Sequence, residues 1–354
     1  AVTPWQIEDG SGNPVEATGD EQVELFRSVK AGNGRVEIAL TDGGTLSAAQ
    51  VNDLSVAGTA NCYVVSAPGT YVFNARVRGN GAGEGVGFEP AIEMADGMTA
   101  DWLWTDSEGL VSGVALDTTS GDIFLTVGEG RGNALVALMQ DGKVVWSWHV
   151  WVTDAPQTMT YGNGTVFMDR NLGAAGTTAG GTDAYGMYYQ WGRKDPFYGG
   201  EKTETSANAF LEAKNGTVVN PAYPALDWAF SKSATTTDGA AANPMTFYND
   251  KVGTGYNWLA SPNATLWGEA KTLNDPCPPG YRVPETGAWE DLISGRQYID
   301  GVSVWDGTNY GMTYTHGGQT AWYPAQGYRN YSSGAIVGPV SYTHLRAHET
   351  LMNL

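Results

Sequence analysis

The segment KVVWSWHVWVTD, from Lys143 to Asp154, has the clearest strand pattern in the chain. Successive side chains of a β-strand point to opposite faces of its sheet. Large side chains here fall on both faces, with Trp146, Trp148 and Val150 on one and Val145, Ser147, His149 and Trp151 on the other. Each face must therefore be covered by other parts of the protein or must bind something.

Five further strands are predicted before this one, because short apolar and aromatic runs alternate with turn sequences such as APGT and EGRGN. The runs are NCYVVS, TYVFNARV, DWLWTD, DIFLTV and NALVALM. This spacing is typical of two packed sheets, so residues 58–155 are predicted to form a β-sandwich module. Residues 1–57, with the runs LFRSV and RVEIAL, are interpreted as the end of a preceding β module.

Composition excludes several classes of function. The 354 residues have 38 acidic and 19 basic side chains, a formal net charge of −19. A groove that binds nucleic acid needs clustered Lys and Arg, which this sequence lacks, so no nucleic-acid partner is expected. No apolar run is long enough for a transmembrane helix, so no membrane span is expected in this chain. The 48 Gly, 13 Trp and 18 Tyr residues are typical of extracellular β proteins with many turns.

The cysteines and histidines mark out no catalytic or metal site. Cys62 and Cys277 fall in different predicted modules, and nothing in the sequence demands a contact between them, so two buried thiols are expected. His149 has no second His, Cys or carboxylate pair at ligand spacing, which favours a hydrogen-bonded core histidine over a metal ligand. No catalytic residue, metal or cofactor is therefore predicted.

Three motifs follow in the second half of the chain. They are MDRNLGA at 168–174, YGMYYQWGRKDPF at 185–197 and NDPCPPGYRVPETGAWEDL at 274–292. The first is predicted to be a strand with Asp169 and Arg170 on opposite faces, where Arg170 pairs with a carboxylate or with carbonyls. The second is predicted to be a buried strand. The third is predicted to be an entry loop, a short strand at 281–283 and a helix from Gly287 that buries Trp289.

The order and spacing of these motifs resemble those of the Fibrobacter succinogenes major paralogous domain, which is common in surface and secreted proteins of Bacteroidetes-type bacteria. The resemblance implies a C-type-lectin-like α+β domain over residues 156–340, joined to the β-sandwich by a hinge near Asp154 to Gln157. It also implies a structural role for the motif residues, which are Asp169, Arg170, Asn171, Gln190, Trp191, Gly192, Arg282, Pro284 and Trp289.

The end of the chain departs from that pattern. The final segment, SYTHLRAHETLMNL at 341–354, resembles a translated sequencing adapter, so it is interpreted as a non-native tail on a metagenomic fragment. Its His344 and His348 have helical i, i+4 spacing, but they are not assigned to a metal site. The closing strands of the resembled domain are missing, so the lectin-like domain is expected to be C-terminally truncated. Its helix near residue 287 also lacks the capping box usual in that family.

An aromatic-rich stretch after residue 300 provides the candidate ligand-binding residues. Tyrosine and tryptophan rings stack on sugar faces, but they also pack the cores of loop-rich proteins, and packing is the favoured interpretation. The candidates are Trp305, Tyr310, Tyr314, Trp322 and Tyr323. The long insertion between Gly200 and Asn274 is a second candidate for a ligand-facing surface, because binding residues concentrate on loops.

The predicted function is a non-enzymatic cell-surface or secreted bacterial protein, an adhesin or fimbrillin-associated subunit that binds a glycan or a host or bacterial surface protein. One alternative is a structural stalk that displays a partner without binding a ligand. A second alternative comes from the segment YRVPETGAW, which also resembles the formylglycine-generating enzymes. Those enzymes act through a cysteine pair late in the domain, and no cysteine follows Cys277 here, so thiol catalysis is not expected.

Overall fold

The protein is mainly β, with one short α-helix and several sheets in its described part. The computed structural model describes residues 29–31, 34–41, 45–80, 90–162, 164–198, 217–285, 288, 293–294, 297–298 and 303–337. None of the helical segments in these ranges is both long and apolar enough to cross a bilayer. The chain divides into two compact units, residues 1–53 and residues 54–354.

The first unit contains an antiparallel meander. Its strands are β1 (Val29–Ala31), β2 (Gly34–Thr41) and β3 (Thr45–Asp53). Thr41 pairs with Thr45, so β2 and β3 form a hairpin around the DGG sequence, which is rich in turn-forming residues. The predicted strand RVEIAL lies in β2, whereas most of LFRSV is outside the described residues.

The second unit begins with seven strands. They are β4 (Cys62–Val65), β5 (Gly69–Asn74), β6 (Met98–Thr105), β7 (Val111–Asp117), β8 (Asp122–Val127), β9 (Gly132–Gln140) and β10 (Lys143–Val152). All six strands predicted between residues 58 and 155 are present, and β7 was not predicted. In β7 the register shifts between Ser112 and Ala115, and Gly113 has a φ of 58°, so the strand lacks simple alternation.

These strands form two layers in the order β5-β8-β7 and β6-β9-β10-β4. The pairs are antiparallel except for β10 and β4, which are parallel. The side chains between the layers form one hydrophobic cluster that includes Phe73, Ile123, Val136 and Trp148. The alternation of β9 and β10 therefore places one face of the second layer in this core.

The opposite face of β9 and β10 is also covered, by residues that follow residue 156. Leu135 and Ala137 of β9 share a second buried cluster with Tyr188, Phe197 and Trp228 among others. On β10, the Ser147 hydroxyl donates to Asp195, and the Trp151 indole N–H donates to the carbonyl of Ala174. The aromatic side chains on both faces of β10 are thus explained by packing on both sides.

The rest of the unit has short elements. They are β11 (Thr158–Thr160), β12 (Val166–Met168), β13 (Val218–Val219), β14 (Ala229–Ser231), α1 (Thr237–Ala242), β15 (Thr246–Tyr248), β16 (Ile293–Ser294), β17 (Gln297–Tyr298), β18 (Ser303–Asp306), β19 (Gly311–His316), β20 (Gln319–Pro324), β21 (Tyr328–Arg329) and β22 (Ile336–Val337). Single 3-10 turns lie at Leu54–Ala57 and Thr182–Ala184. The Thr236 side chain caps α1 by accepting from the Gly239 N–H at 3.0 Å.

Two predicted strands of this region are not strands. Residues 185–197 form a folded loop closed by one antiparallel bridge between Tyr188 and Phe197, because Gly192 has a φ of 76° and turns the chain back. Residues 281–283 have no strand partner among the described residues. Most of the helix predicted from Gly287 and the whole tail at 341–354 lie outside the described residues. Ile293, at the predicted end of that helix, lies instead in strand β16, where it pairs with Tyr298.

Contacts cross the boundary predicted at residues 155 and 156. β13 extends the second layer by pairing with β6, with Val219 opposite Trp104. Asp154, in the predicted hinge, forms an ion pair with Arg170 at 3.0 Å. Because the two sides share a sheet and a core, these contacts argue against independent folding of the segments 58–155 and 156–340.

Candidate functional site

The sequence-predicted ligand residues lie on and around the sheet β18-β19-β20, and most of them face inward. Tyr314, Trp322 and Tyr323 have exposures of 3%, 6% and 5%. The Tyr314 ring lies 5.9 Å from that of Tyr161 and 5.6 Å from that of Tyr323, and the Tyr323 hydroxyl donates to the Met168 carbonyl. A ring must have an exposed face to stack on a sugar. For these three residues the burial favours the packing interpretation.

The remaining two candidates differ from each other. Trp305 is half-buried and packs against the cluster of Tyr314 and Tyr323. Tyr310 is 42% exposed and has a φ of 55°, a left-handed conformation that is uncommon for a residue with a side chain. Of the five predicted residues, Tyr310 thus presents the most exposed ring.

The first motif forms an ion-pair group around a buried arginine. Arg170 is 4% exposed and donates to Asp169 at 2.8 Å, to Asp154 at 3.0 Å and to the Thr153 hydroxyl at 2.9 Å. Pairing of Arg170 with a carboxylate is as predicted, but the opposite-face placement of Asp169 is wrong because β12 ends at Met168. The hydrogen bond from Arg170 is the main cause that lowers the pKa of Asp154 to about 2. Asn171 donates to the Gln326 side chain at 3.2 Å.

The second motif anchors the loop around α1. Arg193 is 2% exposed and donates to the carbonyls of Thr246, Asn243 and Pro244 at 2.6–2.9 Å. Gln190 donates to the Tyr248 carbonyl at 2.7 Å. The planar fork of arginine suits such convergent carbonyls.

Trp191 and Gly192 pack against a neighbouring segment of the insertion. The ring centroids of Trp191 and Trp267 lie 5.9 Å apart. The backbone carbonyl of Trp191 accepts a hydrogen bond from the Trp258 indole N–H at 2.7 Å. A Cβ on Gly192 would lie 2.8 Å from the Leu266 Cβ. Only glycine fits this close approach at a φ of 76°.

The third motif is held by charged groups. Arg282 pairs with Glu285 and donates to the Val283 carbonyl at 3.2 Å, and Pro284 beside them is partly buried. The Val283 N–H donates to the Asp275 carboxylate at 2.8 Å. Trp289 lies outside the described residues.

A buried cluster of Ser147, Lys194 and Asp195 was missed by the sequence analysis. The Lys194 ammonium donates to the Ser147 hydroxyl at 2.7 Å and to the Asp195 carboxylate, and it lies 4.4 Å from the Trp146 ring centroid. Burial lowers the pKa of Lys194, and Asp195 opposes this shift. A serine beside a lysine can act as a nucleophile and base, but all three side chains are at most 3% exposed. The cluster therefore joins β10 to residues 194–195.

His149 belongs to a second buried network. Its Nε2 lies 2.8 Å from the Asn133 Oδ1, and the Asn133 amide donates to Asp106 at 2.7 Å and to the Gly173 carbonyl at 2.9 Å. Asn133 Oδ1 is an acceptor, so Nε2 carries the imidazole proton. The Tyr189 hydroxyl approaches the other ring nitrogen at 3.4 Å. His149 is thus a hydrogen-bonded core residue, and the described residues contain no group of three His, Cys, Asp or Glu side chains placed to hold a metal.

This network predicts an acid-sensitive contribution to stability. Burial lowers the pKa of His149 to about 3, below the value of about 6.5 in an unfolded chain. The unfolded state therefore binds a proton that the folded state excludes, so stability falls as pH falls below about 6.5. Between pH 7 and pH 5, the unfolding free energy of wild type should therefore fall by about 2 kcal/mol more than that of His149→Gln.

Urea denaturation of wild type and His149→Gln at several pH values measures this difference. The Asp106 carboxyl has the opposite effect, since burial raises its pKa to about 6, but it is present in both proteins. His316→Gln, in partly exposed β19, is the matched control. An identical pH dependence of wild type and His149→Gln would show that His149 makes no such contribution.

An exposed aromatic surface is formed by two loops that are far apart in sequence. Tyr256 and Tyr331 are 38% and 51% exposed, and their ring centroids are 4.3 Å apart at an interplanar angle of 62°. The Lys251 ammonium lies 5.9 Å from the Tyr256 ring. We call Lys251, Tyr256 and Tyr331 the tyrosine platform. Tyr331 lies in the aromatic-rich stretch after residue 300 but is not one of the five candidates. Tyr256 is not a candidate either, although its position after Gly255 in a turn sequence is a signal of exposure.

Both loops of the tyrosine platform are held in place by hydrogen bonds. The Tyr256 N–H donates to the Asp250 carbonyl at 2.7 Å, and the residue has a φ of 77°. The Gly334 N–H donates to the Asn330 carbonyl at 2.7 Å, which closes the turn that carries Tyr331. Left-handed backbone at a non-glycine residue costs about 1–3 kcal/mol and is concentrated at ligand sites. These backbone contacts order the two turns that carry the exposed rings.

No family model matches the chain, and no curated protein matches it. The resemblance to the Fibrobacter succinogenes major paralogous domain accordingly rests on its three motifs.

Proposed function

We propose that the chain is part of a non-enzymatic bacterial surface or secreted protein, an adhesin or fimbria-associated subunit that binds a glycan through the tyrosine platform. The observation that carries this proposal is the meeting of two exposed tyrosine rings on two hydrogen-bonded loops. Aromatic faces bind the apolar C–H faces of sugars, and nearby polar groups orient the hydroxyls. In this proposal residues 58–155 form a β-sandwich and the following segment is a C-type-lectin-like domain.

The buried polar clusters support a binding role over catalysis. Lys194 and His149, the groups best suited to acid–base chemistry, are enclosed and fully occupied by neighbouring side chains. The thiols of both cysteines are buried, and burial raises the pKa of each, which disfavours the thiolate that formylglycine-type chemistry needs.

Glycan-array binding by wild type and two variants tests the proposal. Tyr331→Ala removes one ring of the tyrosine platform, and Tyr256→Asn removes the other while keeping a residue that tolerates positive φ. Each variant should weaken binding to the best glycan about tenfold or more, equivalent to about 1.4 kcal/mol.

Tyr310→Asn is the matched control, because Tyr310 is equally exposed, has a positive φ and lies outside the tyrosine platform. Loss of binding in Tyr310→Asn with retention in the other two would place the site at Tyr310. Wild-type protein that binds no glycan would favour the structural stalk.

A further inference from the structure

The two cysteines lie on chain segments that are more than 200 residues apart in sequence and run side by side. The Asn61 amide donates to the carbonyl of Leu273 at 2.7 Å and to that of Asp275 at 2.9 Å. A Cβ built on Gly58 would lie 3.9 Å from the Cβ of Pro279. The segment before Cys62 is thus in contact with residues on both sides of Cys277.

The side chain of Cys62 points toward the same face as His149. Cys62 opens β4 and pairs with His149 across the parallel ladder, and partners in a ladder share a face. The His149 ring lies 3.4 Å from the Tyr189 hydroxyl on that face. Cys62 is 0% exposed, so it is enclosed there by residues that follow residue 156.

Cys277 is held rigidly beside the same face. Its N–H donates to the Asp275 carboxylate at 2.8 Å, and its carbonyl accepts from the Lys271 ammonium at 2.7 Å. Lys271 also donates to Asp275 at 2.9 Å and to the Tyr281 carbonyl at 2.7 Å. The backbone of Cys277 is therefore fixed by a lysine and a carboxylate that are themselves mostly buried.

Electrostatic effects agree that the two thiols share one environment. Burial raises the pKa of Cys62, with Lys271 and Asp275 as the charged groups acting on it. Burial is also the main cause that raises the pKa of Cys277, and the Asp275 carboxylate and the Cys62 thiol raise it further. Tyr189 shares this environment, because burial and then both cysteines raise its pKa.

We infer that Cys62 and Cys277 are a disulfide pair that covalently fastens the edge strand β4 to the 271–281 segment. These are the two cysteines of the whole chain, both are buried, and the fold brings the segments that carry them into contact. The bond requires Cα atoms within about 7 Å. The Asn61 side chain already links the residue before Cys62 to the carbonyl of Asp275, two residues before Cys277.

The oxidant is a disulfide, either of a thiol–disulfide oxidoreductase or of oxidised glutathione. One cysteine thiolate attacks this disulfide, forms a mixed disulfide and releases a first thiolate; the second cysteine thiolate then displaces the second. The two cysteines lose two protons and two electrons in total, and the oxidant becomes two thiols. Because the buried thiols resist ionisation, the exchange takes place while the chain folds.

Oxidative refolding of the full chain tests the inference. The protein is denatured with a reductant, refolded in buffer containing reduced and oxidised glutathione, denatured again and treated with a maleimide. The expected product has no maleimide adduct, is lighter than the reduced chain by the mass of two hydrogen atoms, and yields a peptide that joins Cys62 to Cys277. Cys62→Ser and Cys277→Ser should each carry one adduct or one glutathione.

Reduction should also lower the melting temperature of the oxidised wild type by about 5–10 °C, since the bond closes a long loop. Reduction should leave the melting temperature of Cys62→Ser unchanged. Two maleimide adducts per refolded wild-type chain, or a disulfide found only between chains, would overturn the inference.

Discussion

Replacing Asp195 with Ala should lower the free energy of unfolding by about 3–5 kcal/mol, because it leaves buried cations without their carboxylate. Asp195 is 1% exposed and accepts from the Lys194 ammonium and the Ser147 hydroxyl. Its second oxygen lies 3.9 Å from the Arg193 guanidinium. Urea denaturation at pH 7, followed by tryptophan fluorescence, measures the change.

The exposed ion pair of Arg131 and Asp154 provides the control. The Arg131 Nη1 and the Asp154 Oδ1 lie 2.6 Å apart, but the side chain of Arg131 is 54% exposed and that of Asp154 is 50% exposed. Solvent screens such pairs, so Arg131→Ala should cost at most about 1 kcal/mol. An Asp195→Ala variant that loses no more stability than Arg131→Ala would show that the buried cluster is not a structural anchor.

Replacing Trp148 with Ala should have a similarly large effect, through the other face of β10. Trp148 is 0% exposed, and its ring lies 5.1 Å from Phe73 within the cluster between the two layers. Truncation of a large buried aromatic residue removes its packing and leaves a cavity, which costs about 3–5 kcal/mol.

Trp148→Phe separates packing from hydrogen bonding. The Trp148 indole N–H has no hydrogen-bond partner within the described part of the chain, so phenylalanine loses only volume and should cost about 1–2 kcal/mol. Val304→Ala, on a side chain that is 62% exposed, should change stability by less than about 0.5 kcal/mol. Equal losses for Trp148→Phe and Trp148→Ala would contradict a packing role.

The alternation of apolar residues was sufficient to predict the strands before residue 155. In β9 and β10 every second side chain enters one core, so the period of two is visible in the sequence. After residue 156 the described strands are mostly two or three residues long, too short for a period to appear. There the chain is held by side chains such as Arg193, which bind backbone carbonyls in ways that no local pattern encodes.

The candidate sites depended on contacts between distant residues, which the sequence analysis had no means to predict. Aromatic content alone pointed to Tyr314, Trp322 and Tyr323, yet those rings are buried. The tyrosine platform exists because two turns meet, and its rings are exposed because each lies in a turn rather than in a strand with a buried face. The contact between the two cysteine-bearing segments has the same origin, since it depends on residues 273–279 lying beside residues 58–61.

One face of β10 packs in the core shared with β5 and β8, and the opposite face is fastened to the segment after residue 156, so we expect the two regions to unfold together. Hydrogen exchange of wild type and Asp195→Ala, followed by mass spectrometry in low denaturant, tests this most directly. We expect Asp195→Ala to accelerate exchange in the peptides of β9 and β10 as well as in those around residues 185–198. Unchanged protection of β9 and β10, with acceleration confined to the later segment, would contradict it.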